Sequence, residues 1–268
     1  MRALPLFALA LAACLPTAPA PPPGPPPPAP SAGYPAARPV PTSPALRAVV
    51  EAPDRADADR ALDKGRHPAE MLAFFGIGPG MKVADLVAGG GYTTELLARA
   101  VGPSGKVWGQ NPRFVLEHFA AKPWSARLGT APMKSVTRVD RELDDPLPPE
   151  ATGLDAVIMV LFYHDTHWLK VDRAAMNRAV WKALKSGGVY GIIDHSGRPG
   201  SGTTEVQSLH RIEERAVREE IEAAGFRLAA SGDFLRNPAD TRDWNDAPGA
   251  AGERRGQSDR FALKFVKP

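Results

Sequence analysis

Residues 83–87 form a short, nearly continuous apolar run that breaks into Ala88-Gly89-Gly90-Gly91 and then into a helix-like stretch over 92–99. A run of that length bounded by turn residues is the pattern of a strand buried on both faces. The alternation repeats along the chain. Further strands are predicted at 106–110, 135–139, 154–162, 189–193, 225–230 and 261–266, and the uninterrupted hydrophobicity of 154–162 places that strand at the centre of a sheet. Helices are predicted over 54–66, with Asp54 as cap and Asp57 three positions on, over 68–75 from Pro68, over 173–184 and over 204–224. Gly78-Pro79-Gly80, Gly102-Pro103-Ser104-Gly105 and Lys185-Ser186-Gly187-Gly188 supply the stops between them. Strands alternating with helices predict an α/β fold, a seven-stranded and mostly parallel sheet flanked by helices and joined by right-handed crossovers.

The N-terminal part follows a different pattern. Met1-Arg2 precedes an apolar run over residues 3–13 and then Cys14, which fits a signal peptide and is too short to span a bilayer. Leu11-Ala12-Ala13-Cys14 resembles the bacterial lipobox, which implies lipidation of Cys14, membrane attachment through it and a place on the periplasmic face of the cell envelope. Cys14 is the one cysteine of the chain, so it has no disulfide framework or cysteine metal site to serve. Fourteen of the 29 prolines fall within residues 16–46, and that composition predicts a stiff spacer rather than a core. Three segments result: a signal peptide over 1–13, a lipidated cysteine and Pro-rich linker over 14–46, and one globular domain over 47–268. Without Arg2 the balance is 32 basic to 30 acidic residues with no long basic run, so nucleic-acid binding is not expected.

Asp85-Leu86-Val87-Ala88-Gly89-Gly90-Gly91 resembles the first motif of class I S-adenosylmethionine-dependent methyltransferases, with Gly89 and Gly91 in place and Val87 where the first glycine stands. Further stretches extend the resemblance over almost all of residues 52–268, to a bacterial group of predicted methyltransferases, some with export signals. They are Tyr163-His164-Asp165, Asp172-Arg173-Ala174-Ala175-Met176-Asn177, Asp194-His195-Ser196-Gly197-Arg198-Pro199-Gly200-Ser201-Gly202, Ser208-Leu209-His210-Arg211-Ile212 and Leu235-Arg236-Asn237-Pro238. The resemblance implies the class I methyltransferase fold and S-adenosyl-L-methionine as cofactor. It places Asp85, Gly89, Gly90 and Gly91 at the cofactor, Asn111 where the family has an acidic residue on the ribose hydroxyls, and Asp140 or Glu142 near the adenine.

In open α/β sheets ligands bind beyond the carboxyl ends of the strands. His164 and Asp165 after the fourth strand, and Asp194 and His195 after the fifth, are therefore the candidate catalytic residues. Methyl transfer needs alignment of donor and acceptor, and a hydroxyl acceptor also needs a base, for which His164 or His195 is suited. The same residues equally suit hydrogen bonding that fixes the strand ends. Asp165, Asp194 and His195 also mimic the placement of ligands in metal-dependent O-methyltransferases, which makes them an alternative metal set. His210 and Arg211, expected on the helix that follows, either line an acceptor pocket or form a polar helix face. The leading expectation is methyl transfer to a small-molecule acceptor. The alternatives are an exported binding protein that keeps the fold without transfer, with Val87 and Asn111 as its departures, and a metal-assisted enzyme.

Overall fold

The structure is a computed structural model that describes residues 41–268. The expected signal peptide, Cys14 and most of the Pro-rich linker lie outside the described residues. Where the linker was expected to continue to residue 46, the chain already forms helix α1 (Pro44–Val50). Ser43 caps it by accepting the Leu46 N–H at 3.2 Å, and Pro44 opens it, a position where the missing N–H costs nothing.

Two more helices precede the sheet, α2 (Asp57–Arg66) and α3 (Pro68–Phe75), joined at His67 in a left-handed conformation. The predicted helix start at Asp54 is corrected: α2 begins at Asp57 after Ala56, and the Asp54 carboxylate accepts from Arg99 at 2.9 Å instead of capping. The remaining elements are β1 (Lys82–Leu86), α4 (Tyr92–Val101), β2 (Lys106–Asn111), the short turn α5 (Arg113–Val115), α6 (Ala121–Leu128), β3 (Val136–Asp140), β4 (Leu154–Val160), α7 (Asp165–Trp168), α8 (Arg173–Ala183), β5 (Leu184–His195), α9 (Glu214–Ala223), β6 (Arg227–Gly232) and β7 (Arg260–Val266).

The seven strands form one sheet in the order β3-β2-β1-β4-β5-β7-β6. β1 to β5 are parallel, and β7 inserts antiparallel between β5 and β6. β4 lies at the middle position, where its apolar run predicts it. Each face of the sheet has its own core. On one, Leu72 and Phe75 of α3 and Leu97 and Val101 of α4 pack on Val83, Val107 and Ile158, with Leu46 and Val49 of α1 at the margin. On the other, Met176 and Val180 of α8 and Val217 and Ile221 of α9 pack on Val157, Tyr190 and Phe265. Because β1 and β4 run side by side and in parallel, their carboxyl ends open together on one edge of the sheet.

Three predicted boundaries are corrected. The strand expected through Phe162 ends at Val160, because Leu161 turns into the left-handed region at φ 57° while its N–H still reaches the Ile193 carbonyl at 2.7 Å. Asp194 and His195 do not follow β5 but end it, opposite Phe261 and Arg260 of β7. The helix expected over 204–224 is formed only from Glu214. Upstream, residues 203–209 are turns, His210 has φ 59°, and Arg211 is wholly buried in an ion pair with Asp240 at 2.8 Å. A buried guanidinium on a wholly buried carboxylate fixes Arg211 to the 240s loop, and a continuous helix would break that pairing. Among the described residues no helix is long and apolar enough to cross a membrane.

Candidate functional site

The edge where β1 and β4 end carries a cavity of about 850 Å³, walled by the glycine loop, by Leu161 and Phe162 after β4, by His195 and His210, and by Arg66, Arg255 and Arg260. Its floor is the segment 87–90. Val87 adopts φ 58°, so the residue that replaces the motif's first glycine keeps a glycine's conformation. For a β-branched side chain that is a strained geometry. Leu161 and His210 share it, so three of the six described non-glycine residues with positive φ line this one cavity. Strain of this kind persists where the surroundings over-determine the backbone, and it clusters at binding sites.

Those surroundings can be named. Gln110 accepts the Val87 N–H at 3.1 Å through Oε1 and donates to the Arg141 carbonyl at 2.6 Å. Asn111, fully buried, accepts the Gly89 N–H at 2.8 Å and donates to the Gly89 carbonyl at 3.1 Å. Arg127 of α6 donates to the Gly90 carbonyl at 2.6 Å, and its guanidinium also holds Asp59 and Glu95, each at 2.5 Å. A Cβ on Gly91 would lie 2.7 Å from the Arg127 Cδ and 2.8 Å from the Trp124 ring, whereas a Cβ on Gly89 would meet nothing within 4 Å. Gly91 thus serves packing against α6, and Gly89 is the glycine that leaves the backbone open to a ligand.

The other sequence-predicted cofactor residues are placed as follows. Asp85 is buried beneath α4, accepts from the Thr94 hydroxyl at 2.5 Å, and is pushed up to about 7 by burial, against the downward pull of that hydrogen bond. Asn111 is beside the loop, but its side chain is spent on Gly89 rather than turned to the cavity. Asp140 is exposed at the end of β3, bonded to Arg138 at 2.9 Å, and lies away from the cavity wall. Glu142 is exposed in the loop after it.

The four predicted catalytic residues are brought together at the adjacent ends of β4 and β5. His164 is fully buried: its Nδ1 lies 2.6 Å from Asp194 Oδ1, and its N–H donates to Asp194 Oδ2 at 2.8 Å. Asp194 Oδ1 also accepts the His195 N–H at 2.8 Å. His164 Nε2 faces Asp165 Oδ1 at 3.2 Å, and His210 Nδ1 is 3.5 Å from the same oxygen. His195 turns its Nδ1 to Ser258 at 2.9 Å and Asp246 at 2.5 Å. Burial pushes His164 down, but the charges of Asp194 and Asp165 outweigh it and hold the ring well above the usual histidine range. Burial would raise Asp194, and the facing His164 charge holds it low. His210, pressed by burial and by the His164 charge, is pushed down to about 4, and burial lowers His195 as well.

The alternative metal set of Asp165, Asp194 and His195 therefore does not converge. Both Asp194 oxygens are taken by His164 and His195, and the His195 ring points to the 246–258 loops. Sequence reasoning missed Arg127, Asp246, Ser258, Asp240, Arg66 and Arg260. Arg66 sits in a predicted helix and the others in segments without a motif, and nothing in the sequence marks any of them for the site, so only the fold brings them there.

Neither the protein-family models nor the curated protein sequences match the chain. Solved structures do. A SAM-dependent methyltransferase from Aquifex aeolicus aligns with a TM-score of 0.56 at 18% identity, over 79% of this chain and 96% of that one. A chain assigned as a sarcosine dimethylglycine methyltransferase, from Galdieria sulphuraria, aligns with a TM-score of 0.55 at 17% identity, over 81% of this chain and 89% of that one. The sheet order and this likeness give the protein the class I methyltransferase fold, as the sequence predicts.

Proposed function

We propose that the protein is an S-adenosylmethionine-dependent methyltransferase acting on a small-molecule acceptor. The observation that carries the reading is the glycine loop at the end of β1. Its backbone is locked from three sides by Gln110, Asn111 and Arg127, while Gly89 alone presents open main chain to a cavity of about 850 Å³. That volume is of the size that small-molecule and cofactor sites have. Bound there, the cofactor would supply an electrophilic methyl group. The chain's part is then to align an acceptor beside it and to receive a proton. His195 and His210 line the same wall and are the imidazoles placed near an acceptor's proton. Arg66, Arg255 and Arg260 also face the cavity. They suit a carboxylate, on the cofactor's methionine end or on the acceptor.

Calorimetric titration with S-adenosylmethionine and with its demethylated product tests the reading. Saturable heat is expected for the wild type and none for Gly89→Val, whose Cβ would meet nothing within 4 Å and whose branches would occupy the ligand's space. A second reading, a binding protein of the same fold without transfer, is favoured by the commitment of the Asn111 side chain to the loop. Cofactor binding without turnover across a panel of small acceptors would support that reading over the first.

The site of action is also part of the proposal. The apolar run before Cys14 and the proline spacer after it support an exported lipoprotein attached to the membrane. Mass spectrometry of the native N-terminus should show an acylated Cys14, and an unmodified N-terminus elsewhere would end that idea.

A further inference from the structure

We propose that His164, Asp165 and His210 form a binding site for a divalent transition-metal ion such as Zn²⁺, beside the same cavity, which His210 lines. One donor atom from each of the three side chains lies within 4.8 Å of the other two. Asp165 Oδ1 is 3.2 Å from His164 Nε2 and 3.5 Å from His210 Nδ1. Donors arranged tetrahedrally at about 2.1 Å from an ion stand roughly 3.4 Å apart, so the side chains are already spaced as a ligand set.

An independent observation points the same way. His164 is fully buried, yet among the described residues its Nε2 has no hydrogen-bond partner, although Asp165 lies beside it. A buried ring nitrogen left without a partner forfeits its hydration. The other ring nitrogen explains the arrangement. Asp194 holds His164 at Nδ1 at 2.6 Å and fixes the ring by accepting its backbone N–H as well. A carboxylate on Nδ1 fixes the ring and aims Nε2 outward, as in metal-ligating histidines, and an ion bound there would displace the proton that the ion-free ring carries at Nε2. Asp165 has a support of its own. The Trp168 indole donates to Oδ1 at 2.6 Å, and a carboxylate oxygen keeps a second lone pair for an ion. His210 completes the set, with its ring edge-on to His164 at 4.0 Å between centroids and its side chain exposed to the cavity.

Two imidazoles and one carboxylate select a transition metal over Mg²⁺ or Ca²⁺, which take oxygen donors. Three protein ligands leave a position open, and His210 puts that position at the cavity. An acceptor with an ionisable hydroxyl fits there, its oxygen bound to the ion in deprotonated form. That use of the ion rests on the methyltransferase reading, whereas ion binding itself does not.

The test is titration of the chelator-treated full chain with ZnCl₂, together with the visible absorption of added Co²⁺, run apart from any S-adenosylmethionine titration. One equivalent should bind. His210→Asn, which tolerates the left-handed backbone at this position, and Asp165→Asn should each weaken binding at least about tenfold and alter the Co²⁺ spectrum. Asp194→Asn, acting through His164, should weaken it by about 10- to 100-fold. His118→Ala, at an exposed histidine outside the cavity, and Cys14→Ala should leave it unchanged. Absence of stoichiometric binding by the wild type, or equal binding by a cooperatively melting His210→Asn, overturns the site and leaves an internal chain of Asp194, His164 and Asp165 charges. A chain that binds S-adenosylmethionine but no Zn²⁺ would refute the metal site alone.

Discussion

Gly89 and Gly91 are two residues apart and face different things, so the same substitution separates two roles. At Gly91, with φ 89°, an added Cβ would collide with Arg127 and Trp124 at under 3 Å, and Gly91→Ala should lower the melting temperature sharply. At Gly89, with φ 55° and open space, the cost is backbone strain of about 1–2 kcal/mol, and ligand binding is lost while the fold survives. Thermal melts read beside titrations check both. Asp85 offers a pH-dependent outcome. Its carboxyl is raised from 3.8 to about 7 in the folded protein, so between those values the folded state holds a proton that the unfolded chain has lost. Stability from this group is therefore lost as pH rises from about 4 to 7, at about 1.4 kcal/mol per unit as an upper bound, and is constant above. Asp85→Asn should gain stability over the wild type across that window, measured as the difference between urea midpoints at pH 5 and pH 8. An equal difference at both would refute the assignment. The motif identifies Asp85 and the glycines from the sequence alone. It does not show that Asn111 would bind the loop, because that depends on the distance between the ends of β1 and β2.

At the scale of elements, α6 holds the glycine loop through one side chain. Arg127 links the Gly90 carbonyl, Asp59 of α2 and Glu95 of α4, and both carboxylates are buried. Removing the cation leaves buried Asp59 without its partner and Glu95 with Arg99 alone, and breaking a buried pair in this way costs about 3–5 kcal/mol. Arg127→Met, which keeps most of the apolar stem, should destabilise by that order and loosen residues 89–91 in hydrogen exchange. A change below 1 kcal/mol would mean that the network is solvent-screened. The strands were legible because a buried parallel strand writes itself as an apolar run, and 154–162 differs from β4 only where Leu161 turns. The helix over 204–224 was not. Its upstream half has helical composition, but Arg211 is claimed by Asp240, 29 residues away, and a periodicity argument cannot see a partner at that distance.

Over the whole molecule, the cavity is a joint product of segments far apart in the chain. Arg66 comes from α2, the glycine loop from β1, His195 from β5, His210 from a turn and Arg260 from β7. The motif-bearing part of this set was readable in advance, and the cationic part was not, since arginines without a period or motif carry no positional signal. A ligand that touches all of these segments should act as a cross-brace. Binding to the folded state alone adds about 2.7 kcal/mol of stability at a free concentration 100 times the dissociation constant. For a domain of this size each kcal/mol moves the melting temperature by about 2–4 °C. Saturating S-adenosylmethionine should therefore raise it by roughly 5–10 °C in the wild type, and should leave Gly89→Val at its own unliganded value. Equal shifts in both proteins would place the ligand away from the glycine loop, and no shift in either would remove the cofactor on which the methyltransferase reading depends.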